Sequence, residues 1–203
     1  MHKLISRLVT SVSFCIVALT ATTLTNVYAQ TAYPNKPVRL IVPFTPGGVT
    51  DASARLVAEQ MSKRLGQQMI VENKPGASGN IGTSQIALAE PDGYSLLLGF
   101  DGTMVINPHV YAKLPFDTLR DFAPVTKLGD ATVIVVAHPS VPAKDLRELI
   151  VWLKANPDQA TAAMVGAGTA SHICGVYLQQ GTGTRYRFVP YRGGGPAYAD
   201  VAA

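Results

Sequence analysis

The sequence predicts an α/β fold in two lobes, each built on parallel strands. Three observations carry that expectation. A short β-rich run, a Gly-rich loop and a helical pattern recur in that order along the chain. A Pro-interrupted stretch with Pro108, Pro115 and Pro124 divides the repeats near the middle, as a crossing between lobes would. The 203 residues are 47% hydrophobic and 15% charged, which supplies a core and excludes disordered or collagen-like classes.

In the first unit Val38–Val42 reads as a strand, Pro43 to Gly48 as a loop, and Thr50 or Asp51 as the cap of a helix with Ala54, Val57, Met61 and Leu65 on one face. Gly66 ends that helix. The second unit is a strand at Met69–Glu72, a turn-rich loop from Lys74 to Gly79, and a helix through Ile81, Ile86 and Leu88. A third strand is expected at Tyr94–Leu98, followed by an irregular crossing over about 103–128. Ala131 to Ala137, with Val133, Ile134, Val135 and Val136 in succession, is the most strand-like run and is expected to be buried on both faces. After Pro142 a helix places Leu146, Leu149, Ile150 and Leu153 on one stripe. Strand–loop–helix units then follow at Thr161–Gln180 and from Arg187 to the end of the sequence. The expected division is a leader over 1–29, a first lobe over 30–128 and a second over 129–203.

The leader is read from Lys3 and Arg7, the uncharged stretch Leu8–Ala29, and the small residues around a cleavage point after Ala29. That stretch is long enough to span a bilayer, but its many Thr and Ser residues favour removal over anchoring. Without the leader the balance is 15 basic against 13 acidic residues, which does not suggest nucleic-acid binding. Cys15 leaves with the leader and lacks the context of a lipoprotein acylation site. Cys174 then has no disulfide partner and is expected to be a buried structural thiol.

Gly-rich loops at the carboxyl ends of parallel strands present helix N-terminal amides, a setting that favours an anion. Such loops lie at Gly47–Gly48, Gly76–Gly79, Gly166–Ser171 and Gly193–Gly195, two from each expected lobe. Opposed across a cleft, they suit a small carboxylate. No phosphate-loop motif and no Gly-x-Gly-x-x-Gly after the first strand is present, which disfavours nucleotides. A hydrolase using Ser171 with His172 is weak, because adjacent residues at a helix start point apart and no Gly-x-Ser-x-Gly elbow occurs.

The run Val42-Pro43-Phe44-Thr45-Pro46-Gly47-Gly48-Val49-Thr50-Asp51, with Arg55 after it, resembles the first signature of the tripartite tricarboxylate transporter substrate-binding receptors, the Bug family. Val71-Glu72-Asn73-Lys74-Pro75-Gly76-Ala77-Ser78-Gly79, Pro91-Asp92-Gly93-Tyr94, Asn107-Pro108 with Tyr111, and Asp121 to Val125 continue the resemblance in order. Gly168-Thr169-Ala170-Ser171-His172 and Val189-Pro190-Tyr191-Arg192-Gly193 complete it. It implies a two-lobed periplasmic binding protein of type II-like fold, without catalysis, cofactor or metal. Such a protein is expected to be a monomer that delivers a carboxylate to a membrane permease. A sensory protein signalling to a membrane kinase fits the same fold and cleft. The resemblance also implies that the C-terminal part of the fold is missing, so a receptor fragment is expected.

The implied ligand-binding residues are Phe44, Thr45, Pro46, Gly47 and Gly48 in the first loop and Gly168, Thr169 and Ser171 in the loop of the second lobe. Ser78 and Thr103 add candidate hydroxyls. Asp51 either caps the first helix or touches ligand, and His172 either packs or touches ligand. Asp200, in Pro196-Ala197-Tyr198-Ala199-Asp200, is expected to approach the cleft.

Overall fold

In the computed structural model, residues 33–203 are described, and the expected leader with Cys15 lies outside them. Five strands form two parallel sheets. The first has the order β2-β1-β3 and the second pairs β4 with β5. They lie on either side of the expected lobe boundary, yet Lys36–Ala203 gather into one compact unit.

Strand β1 (Val38–Val42) is central because nearly every side chain is apolar; Val38, Ile41 and Val42 are almost wholly buried. It pairs with β2 (Met69–Asn73) along its full length, Val38 opposite Met69 and Val42 opposite Asn73. On its other edge it pairs with β3 (Ser95–Leu97) through Arg39 to Ile41. Helix α1 (Val49–Leu65) presents Ala54 and Ala58 to this sheet. Their small side chains let the helix settle onto Val38, Leu40, Val42, Met69 and Leu98, with Met61 and Leu65 closing the edge. Gly66 ends α1 in a left-handed turn, its N–H donating to the Ser62 carbonyl.

A short 3₁₀ turn (Ala77–Gly79) leads into α2 (Asn80–Ala87), the helix expected through Ile81 and Ile86, which buries Asn80, Gly82 and Thr83. Ile81 and Leu88 are exposed. The expected irregular crossing contains a single π turn (Gly102–Ile106) running into α3 (Asn107–Val110). Pro108 is tolerated there because the first-turn N–H groups of a helix have no partner to lose.

The second sheet pairs β4 (Thr161–Met164) with β5 (Arg187–Pro190) in register from Thr161–Arg187 to Met164–Pro190. Helix α4 (Leu146–Ala155) is started by Asp145, whose side chain accepts the Glu148 N–H, while the Glu148 carboxylate accepts the Lys144 N–H. Of its apolar stripe, Leu153 is buried. Helix α5 (Ala170–Thr182) follows β4, and α6 (Gly194–Ala202) follows β5. Cys174 is exposed, not buried as expected, because α5 has only one face turned to the sheet.

The strand expected at Ala131–Ala137 is not formed. Ile134 is 74% exposed and Val133, Val135 and Val136 are also exposed, since among the described residues no strand pairs with this run. β-branched residues favour a pleated surface only when a neighbour covers it. Ile134→Lys is therefore expected to change stability by no more than about 0.5 kcal/mol. Ile41→Ala, which opens the centre of the first sheet, should cost about 2–5 kcal/mol. Chemical denaturation of the two variants checks the contrast.

Candidate functional site

Four loops leave the carboxyl ends of β1, β2, β4 and β5, and they converge. The first is organised by Asp51, a buried residue in the first turn of α1. One of its carboxylate oxygens accepts the Gly47 N–H at 3.1 Å and the Arg55 guanidinium at 3.0 Å. The other oxygen accepts Asn73 Nδ2 at 2.9 Å. Asn73 also donates to the Phe44 carbonyl at 3.0 Å, so the end of β2 holds the loop after β1 from both sides. Arg55, first, and then Asn73 and Gly47 favour the ionised carboxylate against the cost of burial, which lowers the Asp51 pKa to about 2. The Asp51 side chain is thus occupied in shaping the loop.

The second loop passes through Ala77 at φ 46° and Ser78 at φ 54°. Consecutive non-glycine residues in the left-handed region carry roughly 1 kcal/mol or more of strain each. Ser78 is fixed by Tyr111, whose hydroxyl donates to Ser78 Oγ at 2.9 Å. Behind it, Asn107 is fully buried and donates to Asn80 Oδ1 at 2.7 Å.

The loop after β4 ties itself together. Thr169 Oγ1 donates to the Gly166 carbonyl at 2.8 Å, Ser171 Oγ accepts the Val165 N–H at 3.2 Å, and His172 Nδ1 accepts the Gly168 N–H at 3.3 Å. The His172 ring also packs edge-on against Phe188, with centroids 5.0 Å apart. The loop after β5 meets the first loop directly, the Thr45 N–H donating to the Arg192 carbonyl at 3.2 Å. Gly193 is required at this approach, because a Cβ there would overlap Thr45 Oγ1 and lie 2.9 Å from Thr45 N. Similarly, a Cβ on Gly166 would lie 2.5 Å from Ser78 Oγ, which brings the loops after β2 and β4 together.

Between these loops lies a cavity of about 450 Å³. One side is formed by Phe44 and Gly76 to Gly79; the other is formed by Met164 to Ala167 and Pro190 to Arg192. Phe44 is anchored by a ring contact with Phe100 at 4.7 Å between centroids. Among the described residues no group of His, Cys, Asp and Glu is placed to hold a metal ion.

Of the residues expected from sequence, Phe44 and Ser78 line this cavity. Thr45, Pro46, Gly47 and Gly48 lie beside it, where Gly47 and Gly48 run close against Gly194 and Gly195. Thr103 is fully buried, and its hydroxyl lies 3.5 Å from the Phe100 carbonyl. Gly168, Thr169, Ser171 and His172 hold the loop after β4 from behind. Asp200 accepts the Tyr191 hydroxyl at 2.7 Å and so contacts a wall residue. The expected ligand-binding set did not include the remaining wall residues, among them Ala77, Met164, Tyr191 and Arg192, which lie in or beside the loops that follow β2, β4 and β5.

Comparison with known proteins agrees with this architecture. The model of the tripartite tricarboxylate transporter family receptor matches residues 53–203. A UPF0065 protein of Bordetella pertussis is 41% identical over 163 residues, covering 79% of this chain and 50% of the relative. Among solved structures, the periplasmic binding protein BugD is 38% identical with a TM-score of 0.75, covering 83% of this chain and 56% of that one. MatC from Rhodopseudomonas palustris, solved with bound malate, is 34% identical with a TM-score of 0.77, covering 83% and 57%. The chain spans about half the length of the curated relatives it matches. Its α/β fold is that of these periplasmic binding proteins over the matched region, and the chain belongs to the tripartite tricarboxylate transporter family of receptors.

Proposed function

We propose that this chain is a periplasmic solute-binding receptor that captures a small carboxylate between its glycine-rich loops and hands it to a tripartite tricarboxylate-type permease. The family is a class of receptors, not of enzymes. The observation that carries the reading is the 450 Å³ cavity at the carboxyl ends of strands from both sheets. Beside it the backbones of Gly47 and Gly48 approach those of Gly194 and Gly195 closely. Backbone amides at such positions supply preorganised donors to an anion, and the apolar walls at Phe44, Met164 and Val165 accommodate its carbon skeleton. Malate in the related MatC supports a carboxylate. The expected ligand contacts of Phe44 to Gly48, Ser78 and Gly168 to Ser171 belong to this proposal, as do export through the leader at 1–29 and the monomeric state.

A ligand that binds only the folded state raises the melting temperature by mass action. A cooperative melt that shifts upward with one or more acids from a carboxylate panel is expected. A cooperative melt that no acid displaces would contradict the proposal.

A further inference from the structure

Gly168 is buried in the loop after β4, at φ +78°, and its N–H is given to His172 Nδ1 at 3.3 Å. Nδ1 therefore acts as an acceptor, and the neutral ring carries its hydrogen on Nε2. A second acceptor lies against the same glycine. Asn107 Oδ1, on a fully buried side chain of α3, has no hydrogen-bond partner among the described residues, and a Cβ on Gly168 would lie 2.6 Å from it. The Asn107 amide is fixed through its nitrogen, which donates to Asn80 Oδ1 at 2.7 Å. One buried donor thus stands between two acceptors, of which one is occupied and can take up a proton, and the other is orphaned and cannot. A buried acceptor without a partner is uncommon, and a second arrangement that uses it accounts for its presence.

We infer that His172, Gly168 and Asn107 form a proton-driven switch in the loop after β4: protonation of His172 transfers the Gly168 N–H to Asn107 Oδ1 and lowers the affinity of the cavity for its anion. The effect on affinity rests on the carboxylate-receptor reading and deepens it; the transfer itself does not depend on that reading. A proton from solvent, which reaches the half-buried ring, occupies the Nδ1 lone pair and turns the acceptor into a donor facing a donor. The buried Gly168 N–H must then find another acceptor. Glycine lets the Ala167–Gly168 peptide turn without a side-chain clash. Ala167 belongs to that peptide and lines the cavity, so turning it reshapes the wall.

The elements around the ring supply no carboxylate to hold the proton. From β5 the ring meets Phe188, with centroids 5.0 Å apart; the neighbouring Tyr186 gives its hydroxyl to the Gly175 carbonyl at 2.6 Å, and Arg187 is exposed. His109 of α3 and Cys174 of α5 are exposed, and the loop after β5 brings Arg192 to the cavity wall. Among the described residues no Asp or Glu lies within ion-pairing distance of His172.

The test follows the purified chain without ligand by proton–nitrogen correlation NMR as pH falls from about 8 to about 5.5, the range in which imidazole changes charge. The Gly168 backbone amide and the Asn107 side-chain amide are expected to shift together with the His172 ring signals, through one midpoint. His172→Asn sets an oxygen acceptor near the Nδ1 position that takes up no proton in this range, and it should abolish both shifts; circular dichroism melts confirm that the variant folds. Calorimetric titration with malate is expected to give a Kd about fivefold or more higher at the lower pH, beyond any change that malate shows with His172→Asn. A Gly168 amide that stays in place while His172 titrates, or shifts that persist in His172→Asn, overturn the switch. Malate affinity that is equal or higher at the lower pH overturns its effect on binding while the receptor reading stands. Absence of malate binding to the folded chain at both pH values counts against the receptor reading, and the amide signals then decide the switch alone.

Discussion

Gly166→Val is expected to reduce carboxylate binding by about tenfold or more and to lower stability by about 1–3 kcal/mol. Two effects combine at this position. Gly166 has φ +117°, a conformation that side-chain-bearing residues rarely adopt, and a Cβ there would lie 2.5 Å from Ser78 Oγ and 3.1 Å from Ser78 Cα. Ser78 cannot swing away freely, because Tyr111 holds its hydroxyl and its own backbone is left-handed. The loops after β2 and β4 must therefore separate, which opens the cavity. Gly181→Ala provides the comparison: it lies within α5, nothing lies within 4 Å of its added methyl group, and it should stabilise the chain by about 0.5–1 kcal/mol with binding unchanged. Calorimetric titration and denaturant melts on the two variants separate a local closure effect from general damage.

Asp51→Ala is expected to cost about 2–4 kcal/mol, because the Gly47 N–H loses its acceptor, the Asn73 amide loses one of its two, and Arg55 loses its ion-pair partner from a buried carboxylate site. For a domain of this size that is a fall in melting temperature of about 5–15 °C. The same carboxylate sets an acid limit. Its folded pKa, about 2, lies below the usual aspartate value of 3.8, so its contribution is present above roughly pH 4 and lost as pH falls towards 2. The shift corresponds to roughly 2 kcal/mol. Asp51→Asn should flatten that part of the stability profile, measured by urea denaturation between pH 2 and 6. A profile identical to that of the wild-type chain would show that Asp51 does not hold the loop in this way.

The fold was legible where local pattern and tertiary environment agree. The run Val38–Val42 reads as a strand and lies at the centre of the first sheet, and Gly66 ends α1 as its position suggests. Ala131–Ala137 shows the opposite case: its β-branched residues express a preference that only a neighbouring strand can satisfy, and none is present among the described residues. Helix α2 was legible as a helix, but its buried face was not. Its buried face is chosen by the small Gly82 and the polar Asn80 and Thr83, where close backbone approach and hydrogen bonds outweigh hydrophobicity.

The site was legible as a set of loops but not as a set of contacts. Glycine spacing located the strand ends, yet it could not distinguish residues that face the cavity, such as Ser78, from those that brace a loop, such as Asp51 and His172. That distinction depends on partners distant in sequence: Asn73 for Asp51, Phe188 for His172 and Tyr111 for Ser78. Arg192 stands in the run that carries the resemblance, but only the fold places it on the cavity wall.

The most direct measurement is isothermal titration of the purified chain with a carboxylate panel, run beside Gly166→Val. Saturable one-to-one binding of at least one acid, lost or strongly weakened in the variant, is the predicted result. A folded chain that shows no saturable heat with any acid, or binding that Gly166→Val leaves unchanged, would contradict the claim that the loops enclose a carboxylate site.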